Sequence, residues 1–158
     1  MLFGIDRYER IFLGLTIVVL LFGVGAIAMS ITEADIHLPD KVERIDPNAV
    51  RTTPPFDAPG LYEVGDGEYE AVIIAQTWRW EPDIIEVPKG ATVTFKLTSP
   101  DILHGFHIWE TAVNAMVIPG QLTEVSQTFD DAGEFGIVCH EYCGTGHHTM
   151  FGKVVVTP

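Results

Sequence analysis

Five side chains that can bind soft metal ions are the most informative feature of the sequence. Cys139, Cys143, His147 and Met150 lie within one stretch of twelve residues, and His104 lies 35 residues before the first cysteine. Thiolate, imidazole and thioether groups together suit copper better than magnesium, calcium or manganese, which prefer hard oxygen ligands. One cysteine, two histidines and a weakly bound methionine would describe a mononuclear blue-copper site. A second cysteine allows two thiolates to bridge two copper ions, with the remaining side chains as terminal ligands.

A disulfide and a zinc site are the alternatives for two cysteines so close in sequence. A disulfide between Cys139 and Cys143 would give no reason for His147 and Met150 to follow at these intervals. Zinc is usually satisfied by four cysteine or histidine ligands. Copper therefore accounts for more of the pattern than either alternative.

Short β-strand patterns fill the chain after residue 60 and predict the scaffold of this site. Val93, Phe95 and Leu97 alternate with polar residues, which is typical of a half-buried strand. Turn signals such as Asp66-Gly67 and Pro119-Gly120 recur at intervals of about ten residues. The sequence contains no long amphipathic helical pattern after the first 32 residues. We therefore predict a mainly β domain, an antiparallel β-sandwich.

The predicted strands place the candidate ligands at strand ends. Cys139 ends one strand, the ligand loop follows, and Val154 begins the next strand. His104 belongs to a different strand end, so a rigid sandwich would bring the two segments together. Gly144 and Gly146 are expected to let the loop fold tightly around a metal without clashes from Cβ atoms.

An uncharged apolar segment of 22 residues, 11–32, predicts a transmembrane helix. Such a helix extends about 33 Å, enough to cross a hydrocarbon core of about 30 Å. Because Arg7 and Arg10 precede it, the positive-inside rule predicts residues 1–10 in the cytoplasm. The rest of the chain would lie on the periplasmic or extracellular face of a prokaryotic plasma membrane. A cleaved signal peptide is the alternative, since Ala26-Ile27-Ala28 resembles a cleavage site, but the apolar segment is long for a signal.

Two regions are predicted after this helix. Residues 33–60 contain five prolines and little apolar periodicity, which predicts an extended linker, and residues 61–158 are predicted to form the β domain.

Residues 33–158 contain 7 Lys+Arg and 20 Asp+Glu, so they carry the whole net charge of −13. Such a surface repels nucleic acid and would steer a positively charged protein toward it. A solubility adaptation, for instance to high salt, accounts for the charge equally well.

These residues resemble subunit II of the haem–copper cytochrome oxidases, which carries the binuclear copper centre CuA on a cupredoxin sandwich. The resemblance extends over residues 69–156 and includes Ser99–His107, Val117–Gly120 and the loop Cys139–Met150 with the following Phe151-Gly152. It implies a cupredoxin-like Greek-key β-sandwich with one N-terminal transmembrane helix. Most family members have two such helices, so the chain is more similar to the B-type oxidases.

The resemblance also implies a ligand set. In the family, both cysteine sulfurs bridge the two copper ions. By the same pattern His104 and Met150 complete one copper, and His147 with the backbone carbonyl of Glu141 completes the other. In many relatives the carboxylate of this glutamate helps to hold magnesium at the interface with subunit I, which gives a possible second role for Glu141.

The implied function is electron transfer within an oxidase that translocates protons. The domain would accept electrons from a soluble cytochrome c or small copper protein and pass them to haem in subunit I, where oxygen is reduced. Quinol-oxidising relatives lack the copper ligands, which are present here, and no Cys-x-x-Cys-His motif for a c-type haem occurs. The alternatives are the CuA subunit of a nitric oxide reductase and a membrane-tethered copper carrier.

Two residues near the ligands are assigned roles outside the ligand set. Trp78 lies where the family has aromatic residues near the donor docking patch, and we expect it to be the residue through which electrons enter, with Trp80 packed in the core. Asp101 is expected either to fix the ring of His104 by a hydrogen bond or to cap a turn. The other four histidines, at positions 37, 107, 140 and 148, are expected not to be ligands because the set is already full.

Overall fold

The computed structural model describes Gly4, residues 6–33 and residues 43–158. The chain divides into two compact units, one within residues 1–40 and one within residues 41–158. The first unit contains a single helix in its described part, and the second contains all the strands.

The helix α1 extends over Arg7–Glu33 and contains the predicted span, residues 11–32. Asp6 caps its start, because the Asp6 carboxylate accepts the N–H groups of Tyr8 and Glu9 at 2.6 and 3.1 Å. From Arg7 to Ser30 the helix is long and apolar enough to cross a membrane, and none of this stretch is buried by the described residues. The predicted membrane anchor therefore has the helical structure it requires.

Ten strands form two five-stranded sheets in the second unit. Their bounds are β1 Gly60–Gly65, β2 Glu68–Gln76, β3 Arg79–Glu81, β4 Ile84–Pro88, β5 Thr92–Thr98, β6 His104–Ile108, β7 Asn114–Val117, β8 Thr123–Thr128, β9 Gly133–Cys139 and β10 Phe151–Thr157. The first sheet has the order β1-β2-β5-β8, with β3 beside β2, and the second has the order β4-β10-β9-β6-β7.

The sheets are mixed, whereas the sequence pattern predicted an antiparallel sandwich. The pairs β2–β5 and β4–β10 are parallel, and the other pairs are antiparallel. Alternation of apolar and polar residues predicts strands and their inward faces, but it does not specify which strands become neighbours. Parallel strands need a long connection between them. Both parallel pairs have one, because the two strands of each pair are separated along the chain by at least one other element.

The core lies between the two sheets and is rich in aromatic side chains. Trp80, Phe95, Phe106 and Phe129 are buried there. Trp80 and Phe106 pack edge to face, with ring centroids 5.3 Å apart. The expectation that Trp80 belongs to the core is therefore correct.

Part of the predicted linker is instead packed on the domain. Ile45, Val50 and Phe56 are buried against Val72 and Ile74, which point outward from β2. A short 3-10 helix, residues 47–52, lies in this segment. Residues 43–58 therefore belong to the sandwich, and the compact unit begins before the predicted boundary at residue 61. Residues 34–42 of the predicted linker lie outside the described residues.

Candidate metal centre

The predicted ligands meet at one end of the sandwich. His104 begins β6 and Cys139 ends β9, and these strands are hydrogen-bonded neighbours. Cys143 lies in the β9–β10 loop, His147 begins a short 3-10 turn within it, and Met150 directly precedes β10. Two strand ends and one loop thus supply all five side chains.

Both cysteines are free, and their sulfurs form the centre of a compact group of soft donors. The two Sγ atoms are 3.7 Å apart, well beyond the roughly 2.05 Å of a disulfide bond. Cys143 Sγ lies 3.4 Å from His147 Nδ1 and 3.8 Å from Met150 Sδ. Cys139 Sγ lies 3.9 Å from His104 Nδ1. Cys139 and Cys143 therefore do not form a disulfide bond in this structure.

The group is shielded from solvent. Cys139, Cys143, Met150 and His104 are buried, and His147 is half-buried. The backbone carbonyl of Glu141 lies 3.2 Å from Cys139 Sγ, so Glu141 meets the group through its main chain. Among the described residues, His104, Cys139 and Cys143 form the one cluster of histidine, cysteine or carboxylate groups arranged to hold a metal ion.

The two thiols have opposite pKa shifts. Burial alone would raise the pKa of Cys139, but hydrogen bonds with His104 and with the backbone at Gly105 and Glu141 outweigh it and lower the pKa to about 6. Burial and the neighbouring Cys139 sulfur raise the pKa of Cys143 to about 12. The first proton therefore leaves the pair far more readily than the second, as expected for two acidic groups in contact.

Asp101 holds the His104 ring in one orientation. Its Oδ1 lies 3.0 Å from His104 Nε2. Because an ionised carboxylate can only accept hydrogen bonds, Nε2 carries a proton, and the other ring nitrogen, Nδ1, faces Cys139. Burial would raise the pKa of Asp101, but hydrogen bonds from His104, Thr77, Ile102 and Ser99 outweigh it and keep that pKa well below its usual range. The predicted hydrogen bond is present, and the carboxylate is ionised at neutral pH.

Thr77 is a contact that the sequence analysis missed. Its N–H and its hydroxyl donate to Asp101 Oδ2 at 2.8 and 3.0 Å. Asp101 thereby joins the turn between β2 and β3 to the His104 segment. Nothing in the local sequence signals this contact, because the residues are 24 positions apart.

Trp78 lies over the ligand loop. Its Nε1–H donates to the carbonyl of Cys143 at 2.9 Å, and 42% of the residue remains exposed. A Cβ atom on Gly144 would come 3.2 Å from Trp78 Nε1, and one on Gly146 would overlap the indole ring. We expected these glycines to allow a tight loop. The φ of +106° at Gly144 fits that role, whereas Gly146 is needed to accommodate Trp78.

Replacing Gly146 with alanine should destabilise the domain by about 1–3 kcal/mol, because the added methyl group overpacks the contact with Trp78. Denaturant unfolding of the copper-free full chain, followed by tryptophan fluorescence, measures this effect. Gly133→Ala is the matched control, since its nearest neighbour would be Phe135 Cε2 at 3.9 Å. Equal stability of the two variants would contradict the packing of Trp78 on Gly146.

The histidines that were not assigned as ligands have other environments. His107 Nδ1 lies 2.7 Å from the Val113 carbonyl, so this ring nitrogen is hydrogen-bonded to the backbone and not directed at the sulfur group. His148 is exposed, and His140 Nδ1 lies 3.7 Å from the Glu141 carboxylate. His37 lies outside the described residues.

The donor set fits copper. Three sulfur atoms, two imidazole nitrogens and a carbonyl oxygen meet in one buried group, and thiolate with thioether selects copper over hard cations. A zinc site is complete with four cysteine or histidine ligands, so it would give no role to the buried Met150 sulfur that contacts Cys143.

Sequence comparison agrees with this chemistry. The profile of the family "Cytochrome C oxidase subunit II, periplasmic domain" matches residues 73–157. A cytochrome c oxidase subunit 2 of Thermus thermophilus is 38% identical over 157 residues, which cover 97% of this chain and 94% of that protein. A second protein of this name from Thermus thermophilus is 43% identical over 118 residues, covering 73% of this chain and 87% of the relative.

Solved structures give the same result. A chain from a cryo-EM structure of a haem–copper terminal oxidase dimer superposes with a TM-score of 0.76 at 33% identity, covering 95% of this chain and 99% of that chain. The periplasmic domain of cytochrome oxidase subunit II from Bradyrhizobium japonicum has a TM-score of 0.52 at 21% identity, covering 56% and 83% of the two chains, and supports the cupredoxin-like fold. Proteins of this kind are subunits of an oxidoreductase complex in which subunit II is a partner of subunit I. The chain has a helix long and apolar enough to cross a membrane, a β-sandwich and a sulfur-rich donor group, and it belongs to the cytochrome c oxidase subunit II family.

Proposed function

We propose that this chain is the electron-transfer subunit of a terminal haem–copper oxidase. It accepts electrons from a soluble cytochrome c or small copper protein at a binuclear CuA centre and delivers them to haem in subunit I, where oxygen is reduced. The observation that carries the proposal is the contact between two free, buried thiols, with Met150 and His147 against one of them and His104 against the other.

The proposed ligands divide around the two sulfurs. Both sulfurs would bridge the metal ions, with His104 and Met150 completing one ion and His147 and the Glu141 carbonyl the other. When bound, a copper pair supplies one-electron oxidation and reduction that is shared by the two ions. The carboxylate of Glu141 is not part of the metal-binding cluster found among the described residues, so a magnesium ion at that position gains no support from this chain.

The protein supplies a rigid and dry environment for this chemistry. The ligands are anchored to paired strands, and Asp101 fixes the ring of His104. Burial excludes water from the sulfurs and leaves little space for a substrate. Side chains held in this way move little when the charge at the site changes, which favours fast electron transfer over bond-making chemistry.

Trp78 is the proposed residue through which electrons enter. Its indole is partly exposed on one side and hydrogen-bonded to the Cys143 carbonyl on the other, so it connects the surface with the backbone of a ligand. The acidic surface, with a net charge of −13 in residues 33–158, would steer a positively charged donor toward the domain. We place the domain on the outer face of a prokaryotic plasma membrane and residues 1–10 in the cytoplasm, following the charges around α1.

Replacing Trp78 with alanine should slow electron uptake from the donor by at least about tenfold, the scale of an interface hot spot. The copper spectra should remain intact because no ligand is removed. Stopped-flow reduction of the full chain by a reduced cytochrome c measures the rate. Trp78→Phe is the control that keeps an aromatic ring but removes the N–H donor. An unchanged rate in the alanine variant would contradict the assignment.

Electron paramagnetic resonance with copper quantification on the copper-loaded full chain tests the function itself. Two coppers per chain, with hyperfine structure from one electron shared by both, would support the CuA relay. One copper per chain with a localised spectrum, or a metal that is rapidly lost, would instead favour a copper carrier.

A further inference from the structure

The turn that carries Trp78 leads into a very short strand. β2 ends at Gln76 and β3 begins at Arg79, so the turn consists of Thr77 and Trp78. β3 is three residues long and pairs with the end of β2, where Gln76 lies opposite Arg79. Such a strand forms few backbone hydrogen bonds. The position of the turn therefore depends on the side chains that hold β3 and the end of β2.

The two faces of β3 are held in different ways. On the inner face Trp80 is 2% exposed and packs against Phe106 in the core. Glu81 follows Trp80 directly, so its side chain lies on the outward face. It pairs there with Ile74 of β2, which packs against the segment 43–58. The outward face of β3 thus lies beside that segment.

Arg51 of this segment binds both strands. Its Nη1 and Nη2 donate to the two oxygens of the Glu81 carboxylate at 3.1 and 2.6 Å. Nη2 also donates to Gln76 Oε1 at 2.9 Å. The same amide oxygen accepts from Arg79 Nη2 at 2.8 Å. One guanidinium therefore joins the last residue of β2 to the last residue of β3, with the paired geometry that the planar group of arginine provides.

The backbone that carries Arg51 is itself fixed. Arg51 lies in the 3-10 helix of residues 47–52, which Asp46 caps by accepting the N–H of Asn48 at 2.9 Å. Val50, directly before Arg51, is 1% exposed and belongs to the apolar cluster on β2. The hydrogen bond from Arg51 also lowers the pKa of Glu81, so this carboxylate is ionised at neutral pH. Arg51 can therefore act as a fixed point for the turn.

We propose that Arg51 is a positioning residue for electron entry, which holds the β2–β3 turn through Gln76 and Glu81 and thereby keeps Trp78 against the ligand loop. The inference rests on the proposed function, in which electrons enter through Trp78. It gives the segment 43–58 a role in that function in addition to covering the apolar residues of β2.

The contacts of the turn on its other side explain why its position matters. Asp101 accepts the N–H and the hydroxyl of Thr77 at 2.8 and 3.0 Å. The indole N–H of Trp78 donates to the Cys143 carbonyl at 2.9 Å. The Arg51 contacts hold the turn from the side of the segment 43–58. A small displacement of the turn would lengthen the contact between the indole and the ligand backbone, and functional geometry of this kind is sensitive to shifts of about 1 Å.

Arg51→Met tests this role, because it keeps an apolar stem and removes the guanidinium. Electron uptake by the copper-loaded full chain, measured by stopped-flow reduction, should fall about threefold to fivefold, the factor by which losing an exposed ion pair shifts an equilibrium. Two coppers per chain should remain. Lys96→Met is the matched control, since it removes one positive charge from the same sheet and breaks the 2.7 Å pair with Glu70. It should leave the rate of uptake unchanged.

A double variant distinguishes positioning from a direct contact with the donor. If Arg51 acts through the indole, Arg51→Met should cause no further loss of rate when Trp78 is already alanine. A residue that binds the donor itself would instead lower the rate by the same factor in both backgrounds. If Arg51→Met does not fold, Glu81→Gln, which keeps the shape of the side chain and removes its charge, should slow uptake in the same direction.

Fluorescence quenching by acrylamide measures the position of the indole without electron transfer. The chain has three tryptophans, and in the copper-free full chain with Trp109→Phe only Trp78 and the buried Trp80 remain. Because Trp78 is 42% exposed, Arg51→Met should raise its quenching by up to about twofold as the turn is released. Lys96→Met in the same background should not change the quenching.

Three outcomes would overturn the proposal. Uptake and quenching in Arg51→Met at the level of the unaltered side chain would show that the turn does not need this contact. Equal slowing in the presence and absence of Trp78 would make Arg51 a docking residue for the donor. Loss of copper from Arg51→Met would place its effect at the metal ligands. Failure of the proposed entry route would be visible separately, as an unchanged rate in Trp78→Ala alone.

Discussion

Cys143→Ser should abolish the binuclear site. Cys143 Sγ touches Cys139 Sγ, His147 Nδ1 and Met150 Sδ at 3.4–3.8 Å, so it is the donor shared by most of the group. A serine oxygen is a harder ligand and a poor bridge for copper. We expect the copper content to fall from two to at most one per chain. Electron uptake should fall by more than about a hundredfold, since even outer-shell partners of metal ligands contribute about 10–100-fold.

Copper quantification and electron paramagnetic resonance on the full chain measure this loss. Tyr142→Ser provides the matched control, because it lies in the same loop, is exposed and contributes no side-chain donor to the group. It should retain two coppers. Two coppers with a shared electron in Cys143→Ser would show that this thiol is not a bridge.

Asp101→Ala should weaken copper binding by about 10–100-fold, the effect of removing the partner of a metal-bound histidine. The carboxylate accepts from His104 Nε2 and also from the N–H and hydroxyl of Thr77. Without it the His104 ring can adopt other orientations and protonation states, and the turn that carries Trp78 loses its anchor. Competition with a copper chelator measures the affinity. Thr77→Val is the control, because it removes one hydroxyl bond and keeps the N–H bond.

The same variant should change the dependence of stability on pH. The folded-state pKa of Asp101 lies below the unfolded value of about 3.9. Ionised Asp101 therefore stabilises the fold above that pH, and this contribution disappears as the pH falls through the folded-state value. Asp101→Ala should thus lose less stability on acidification than the unaltered chain. Wild-type copper affinity together with an unchanged acid profile would contradict the role of this carboxylate.

The residue types of the ligand set could be predicted from the sequence because copper chemistry restricts them. Cysteine, histidine and methionine at these spacings suit a copper ion better than a disulfide or a zinc ion, and alternation in β5 predicted strands whose ends could hold them. The cupredoxin-like fold was predicted correctly through the resemblance to the subunit II family, whereas alternation alone predicted a β-sandwich with antiparallel strands. Local alternation could not reveal the parallel pairs β2–β5 and β4–β10, since pairing is decided by the packing of the whole sandwich.

Long-range contacts were the other part that the sequence could not supply. Thr77 and Asp101 carry no distinctive local pattern, and their contact exists because two turns meet at one end of the domain. The role of Gly146 was misjudged for a similar reason: its neighbour Trp78 is distant in sequence. The packing of residues 43–58 was missed because proline-rich segments often form linkers, yet Val50 and Phe56 find apolar partners on β2.

The packing of that segment also limits how the length of the chain can vary between relatives. Full burial of one residue such as Phe56 contributes roughly 1.5–3 kcal/mol, so an insertion or deletion that shifts Phe56 away from Val72 and Ile74 would cost a large part of the stability of a small domain. Variation in chain length should therefore be selected against from Ile45 to Phe56.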